Sequence, residues 1–209
     1  MNNLTFDSEK HEYRWQGQLV PCPSNFIAPY RDFSKINPQT LITKQNFGKS
    51  VHVFTVAYDE GLLDMNKLPV DETGEYDMAA IMQSWIKFQA ELDKSKFTVV
   101  EIKTSEPHIA TEVQLAFYVQ LALENVGEAT NWIDHEPGLY SHKFRFAGTP
   151  DRIYWRTPIV SNNDINILAW HVNEMGKDKV VYYDYRKGWN EAQCLIQSYN
   201  YFGLKPNKE

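Results

Sequence analysis

Only two cysteines, Cys22 and Cys194, occur in the 209 residues. They lie far apart and without further partners, so the chain has neither a disulfide framework nor a four-cysteine zinc or iron–sulfur site. Also missing is any apolar run approaching the roughly 18 residues that a membrane span requires. The start, MNNLTFDSEKHEYRW, is polar and charged, unlike a secretory leader. These absences predict a cytoplasmic protein with no membrane partner. Positive charge is in deficit: 21 Lys and Arg stand against 27 Asp and Glu, a formal net charge of −6. That balance argues against non-specific polyanion binding as the protein's task. No Gly-rich phosphate loop precedes a helix and no Gly-x-Ser-x-Gly elbow occurs. The histidines His11, His108, His135, His142 and His171 show no zinc spacing.

What is present is an ordinary globular composition, 43% hydrophobic and 23% charged, in a chain long enough for one sizeable core. Nothing repeats and no linker composition divides it, so residues 1–209 read as a single domain. Residues 4–20 alternate as two short strands joined by polar residues, with a second turn at Gln16-Gly17, and predict an N-terminal β-hairpin. The segment GKSVHVFTVAYDEGLL from Gly48 is ambiguous, since its β-branched residues favour a strand while its length equally suits a buried helix. Asp59 to Asp77 carries seven acids and one base, with Pro69 and Gly74 inside, and reads as a solvated loop. An amphipathic helix follows, because Met78, Ile81, Met82, Trp85, Phe88 and Leu92 recur three and four apart.

After it come a β-branched strand, FTVVEIKTS, and a helical segment, TEVQLAFYVQLALENV. A strand pair is expected over 132–140 and 143–155, broken at Gly148-Thr149-Pro150. Two more strands, ILAWHV and KVVYYDY, turn at Met175-Gly176, and a last helix carries Trp189, Ala192, Ile196 and Tyr199 on one face. The mixture predicts a mixed α/β (α+β) fold, a central mixed sheet flanked by helices without regular βαβ alternation.

Two segments carry chemistry. In Val100-Glu101-Ile102-Lys103 the side chains alternate, so Glu101 and Lys103 share one face while Val100 and Ile102 enter the opposite layer. A carboxylate beside an ammonium suits a hard cation with a nearby water, and the Ile102 carbonyl is available as another oxygen ligand. An isolated Glu-x-Lys is more often a plain same-face ion pair. In the second segment, Phe146-Ala147-Gly148-Thr149-Pro150-Asp151, a glycine and a proline predict a kink just before a carboxylate, and such kinks aim side chains.

Together these segments resemble the PD-(D/E)XK nuclease superfamily, in particular its RecB-like and phage exonuclease-like branch. Pro150-Asp151 matches one half of the signature and Glu101-Ile102-Lys103 the other. Gln114 and Tyr118, four apart on the following helix, match a pair that recurs in the branch, and Gly48 followed by His52 matches another. The N-terminal LTFDSEKHEYRWQG and the terminal GWNEAQCLIQSYNYF also look like phage members. The order is exchanged, because the family's aspartate strand precedes its Glu-x-Lys strand, whereas here Asp151 follows Glu101 by 50 positions. An in-order substitute, Asp184-Tyr-Arg186, is inferior, since arginine holds its proton at neutral pH.

The resemblance implies a restriction-endonuclease-like core over residues 48–204 and a metal-dependent DNA nuclease, most simply an exonuclease, in phage or host DNA recombination, repair or processing. Asp151, Glu101, the Ile102 carbonyl and His52 are the implied ligands of Mg²⁺ or Mn²⁺, with no iron–sulfur cluster. Lys103 is the implied activator of water, with Gln114 and Tyr118 orienting it and the DNA backbone. Plain helix-face packing is the alternative for Gln114 and Tyr118, a buried hydrogen-bonded histidine that for His52. Glu136 falls where the branch often has an acid, although a hairpin glutamate accounts for it equally. The implied partners are single- or double-stranded DNA with free ends, together with a recombination partner protein or a second copy of the chain. The setting would be a bacterial cytoplasm, with the chain host- or phage-encoded. The alternative is an inactive module that binds nucleic acid or protein on the same fold.

Charge is unevenly placed. Residues 59–77 hold a net of −6, equal to that of the whole chain, whereas residues 142–156 hold Lys143, Arg145, Arg152 and Arg156 against Asp151 alone, a net of +3. The expectation is local, salt-sensitive DNA contact beside Asp151, with the acidic stretch facing away.

Overall fold

Polar turns cut the first twenty residues into three strands instead of the two of a hairpin. Strands β1 (Leu4–Asp7), β2 (Glu12–Trp15) and β3 (Gln18–Val20) form an antiparallel sheet of their own. Gln16 and Gly17 between β2 and β3 both take left-handed backbone, φ 50° and 80°, which matches the twist of the flanking strands. The computed structural model describes residues 3–31, 33–69, 71, 74–93, 96–125, 132–135, 138–155 and 164–202. Glu136 and Arg156 lie outside them.

A short helix, α1 (Pro23–Ile27), leads to a long one, α2 (Pro38–Asp59). The Asn37 side chain caps α2 by accepting from the Gln39 N–H, and Pro38 sits in the first turn, where its missing donor costs nothing. The ambiguous segment from Gly48 is therefore helical through Asp59. Phe47, Val51 and Thr55, four apart, face inward, a stripe blurred in the sequence by Val53, which is just as apolar yet 64% exposed. Helix α3 (Met78–Glu91) starts on an Asp77 cap and buries Met78, Ile81, Met82, Trp85 and Phe88, the face its periodicity predicts.

The remainder runs β4 (Phe97–Lys103), α4 (Ile109–Asn125), β5 (Trp132–His135), β6 (Leu139–Ser141), β7 (Phe146–Gly148), β8 (Arg152–Trp155), β9 (Ile165–Val172), β10 (Asp178–Tyr183) and α5 (Tyr185–Phe202). The strand pair expected between 132 and 155 is two nested hairpins, β5 with β8 and β6 with β7, parted at Gly148-Thr149-Pro150. A five-stranded sheet has the order β10-β9-β4-β8-β5, with β4 parallel to β9 and antiparallel to β8.

Strand alternation builds a core on each face of this sheet. Phe97 and Val99 of β4, with Ile167 and Ala169 of β9, pack against α1, α4 and α5. Val100, Ile102, Leu168, Trp170 and Val172 face α2 and α3, where Trp85 meets Trp170 edge-on with ring centroids 5.0 Å apart. The fold is mixed α/β with a mixed sheet between helical layers. Among the described residues no helix is long and apolar enough to cross a membrane.

The acidic stretch is not solvated throughout. Asp59 ends α2 and accepts from the Arg152 Nε at 2.7 Å and from the Trp85 indole N–H at 3.0 Å. Arg152 is fully buried, donates also to Thr55 and lies over the Trp85 ring. Its charge therefore does not face a phosphate, which removes Arg152 from the expected positive patch. Lys143 and Arg145 remain exposed. Asp59→Ala should destabilise the protein by about 3–5 kcal/mol, because it strands a buried guanidinium, whereas alanine at exposed Asp64 should change little. Urea unfolding with an unchanged m value checks this.

Candidate active site

Strand β4 presents Glu101 and Lys103 on the α4 side, the alternation expected of it. The Lys103 Nζ donates to the Glu101 Oε1 at 2.7 Å. Glu101 is buried and Lys103 reaches partly into solvent. Because β8 pairs with β4 in the register Val100 opposite Arg152, the residue just before β8 arrives beside Glu101 and Ile102. That residue is Asp151, whose Oδ2 accepts from the Ile102 N–H at 2.6 Å. A strand residue's N–H and C=O point to the same side, so the Ile102 carbonyl also faces the Asp151 side. The Arg152 Nη1 donates to the Asp151 carbonyl at 2.6 Å, and the buried arginine thereby fixes the backbone from which this carboxylate extends.

Helix α4 supplies Gln114, which links the site. Its Nε2 donates to the Glu101 Oε1 at 3.0 Å and to the Tyr118 hydroxyl at 2.9 Å. Its Oε1 accepts from Lys103 and from the Arg31 Nη2, each at 3.1 Å. The amide thus uses both donors and two acceptor positions, which simple packing would not require. Burial, and after it the Glu101 charge, raises the pKa of Tyr118 well above its ordinary value, so the phenol keeps its proton. Gly148 lets this ring close in, because a Cβ there would meet Tyr118, Leu121 and Pro23 at 3.0–3.1 Å.

His52, one turn along α2 from Gly48, brings its Nδ1 to 3.4 Å from the Asp151 Oδ1. Gly48 permits this approach, since a Cβ would stand 3.2 Å from Thr104 just beyond β4. His52 thus meets Asp151, and Lys103, Gln114 and Tyr118 gather about Glu101, the two groups joined through the Ile102 N–H and the Asp151 charge that Glu101 feels at the ends of β4 and β8. No protein-family model, curated protein or solved structure matches the chain. The chemistry of the residues themselves carries the functional reading.

Burial raises the Glu101 carboxyl first, the neighbouring Asp151 charge adds to it, and Lys103 only partly opposes them, so its pKa is pushed up to about 7. The Glu101 Oε2 is buried with no hydrogen-bond partner. An orphaned carboxylate oxygen beside a second carboxylate fits a hard cation. Among the described residues no three His, Cys, Asp or Glu side chains form a metal cage. Two carboxylates and a main-chain oxygen suit an ion that keeps several of its waters, as Mg²⁺ does.

Arg31 escapes notice in the sequence. It stands in a proline-punctuated connector, 83 positions from Gln114, and no local pattern links the two. Tyr13 is a second such residue, its hydroxyl donating to the Thr149 Oγ1 at 2.8 Å and tying the N-terminal sheet to the loop before Asp151.

Proposed function

We propose that this chain is a metal-dependent DNA nuclease of the PD-(D/E)XK kind, hydrolysing phosphodiester bonds at strand ends. The observation that carries the reading is the seat of Asp151 on the N–H of Ile102, the residue between Glu101 and its partner Lys103 in the chain, across the paired strands β4 and β8. Exchange of the two motifs along the chain does not disturb that seat, because adjacency in the sheet sets it. In this reading the sheet with its parallel β4 and β9, joined through α4 and the inserted hairpins, is a restriction-endonuclease-like core.

Asp151, Glu101 and the Ile102 carbonyl would hold Mg²⁺ or Mn²⁺, with His52 at the margin. Such an ion supplies Lewis acidity toward a phosphate oxygen and lowers the pKa of water. Lys103, the more exposed partner of Glu101, offers an ammonium to the attacking water and to the charge growing on the phosphate. Gln114 aims Lys103, and Arg31 adds a second positive group beside it.

The test incubates purified protein with linear and circular DNA, single- and double-stranded, with Mg²⁺, Mn²⁺ or chelator. Release of nucleotides from linear DNA is expected with metal and not with chelator. Absence of hydrolysis with every metal, or activity unchanged in Asp151→Ala and Lys103→Ala, overturns the nuclease. DNA binding without hydrolysis would instead identify an inactive module.

A further inference from the structure

The N-terminal sheet is not an appendage, because it walls a cavity of about 280 Å³ that opens beside Asp151. Tyr13 and Tyr118 line its inner part, and Phe6 and His11 stand at its rim. Phe6 is 46% exposed, yet its ring is held in place, stacked on Tyr13 at 4.5 Å between centroids and touched edge-on by His11 at 5.3 Å. His11 adopts a left-handed backbone conformation, φ 52°, which non-glycine residues seldom take. An exposed aromatic fixed by two neighbours presents a ready-made flat face. Ser8, Ser24 and Thr149 add hydroxyls to the same walls.

We propose that this cavity holds the base of the nucleotide next to the phosphate under attack, in a DNA strand that is unpaired at that point. The inference rests on the nuclease reading and names its substrate as single-stranded DNA or an opened duplex end. Three observations support it. The cavity and the site share Asp151 and Tyr118, so a base in the former places its own phosphate near the latter. Its volume, just below the roughly 300 Å³ at which sites for drug-sized ligands begin, is enough for one planar ring system. Its lining is aromatic with rotatable hydroxyls, which favours stacking with little demand on base identity.

Binding of fluorescent oligonucleotides, with Ca²⁺ replacing Mg²⁺ to hold back hydrolysis, tests the inference. The wild type should bind a single strand more tightly than the blunt duplex of the same sequence. Phe6→Ala should weaken single-strand binding about 5- to 100-fold, the value of one base–aromatic stack, and Phe6→Tyr should restore it. In a set of short single strands, each with one abasic position, one position should reproduce the loss, and there Phe6→Ala should add nothing further. Thermal melting controls for folding of the variants. Equal affinity of the wild type and Phe6→Ala, an abasic penalty that both share, or no single-strand binding overturns the base site. Hydrolysis with Mg²⁺ is measured separately, so that a nuclease indifferent to Phe6 refutes the inference alone, while a protein without hydrolysis refutes the reading beneath it.

Discussion

Asp151→Asn should lower metal-dependent DNA hydrolysis by at least about 1000-fold while leaving the protein folded. Asparagine keeps the shape and an oxygen that accepts from the Ile102 N–H, so the backbone contact at 2.6 Å survives. What it removes is a negative charge where a cation would sit. Metal stabilisation of a phosphoryl transition state amounts to several kcal/mol, and each 1.4 kcal/mol is about tenfold in rate. Lys103→Ala should cost about 100- to 1000-fold, in the range of a lost charge-stabilising donor. The two losses should not multiply in the double variant, because Lys103, Glu101 and Asp151 act as one unit. Lys103→Arg separates two roles for the lysine: it keeps the charge and cannot give up a proton, so retained activity would assign Lys103 to electrostatics. Rates on a labelled linear duplex and a labelled single strand supply the measurement. Hydrolysis by Asp151→Asn within tenfold of the wild type would remove Asp151 from the mechanism.

Glu101→Gln should do two opposite things: abolish activity, and stabilise the metal-free protein at alkaline pH. The pKa of the Glu101 carboxyl rises from an ordinary 4.5 to about 7 on folding, chiefly through burial and then through Asp151. Below about pH 4.5 the group is protonated in both states and has no effect. Between there and pH 7 the unfolded chain gives up this proton while the folded one retains it, so stability falls as pH rises. Above pH 7 the penalty is constant, about 3 kcal/mol at roughly 1.4 kcal/mol per pH unit. Glutamine is neutral throughout and still offers an oxygen to Lys103. The advantage of the variant in chelator should therefore grow from nothing near pH 4 to about 3 kcal/mol at pH 8, a rise in Tm of roughly 6–12 °C for a chain of this size. Mg²⁺ should raise the Tm of the wild type and leave Glu101→Gln unmoved. A difference that stays flat across pH, or a variant less stable at pH 8, would refute the assignment of Glu101 as a strained, cation-seeking carboxylate.

The contrast between Asp59 and Glu101 shows how a fold handles buried charge. Asp59 is matched by the buried Arg152 and by the Trp85 indole, and this closed set holds the backbone of Asp151. Glu101 keeps one oxygen unmatched. A pair closed on itself supports structure, while an open valence next to another carboxylate is what a ligand can complete.

Much of this was legible in the residues. Period-two alternation put Glu101 and Lys103 on one face of β4, and the spacing of four put Gln114 and Tyr118 on one face of α4, because strand and helix geometry are local. The inward stripe of α3 was equally plain, since polar residues separate its apolar ones. Where both faces of a segment are apolar, as in α2 around Val51 and Val53, the pattern carries no period, and packing against the sheet decided for helix. Other features depend on strand pairing between distant segments, which local propensity does not encode. The register of Val100 opposite Arg152 alone brings Asp151 to Ile102. The same pairing takes Arg152 out of solvent and into the partnership with Asp59, withdrawing one of the charges counted along the chain as a positive patch. Thus the sequence by itself determined which side chains were available for chemistry and which neighbours along one strand or helix share a face. The tertiary structure decided which of them meet and which charges remain open, because those contacts arise from sheet register and from packing between segments far apart in the chain.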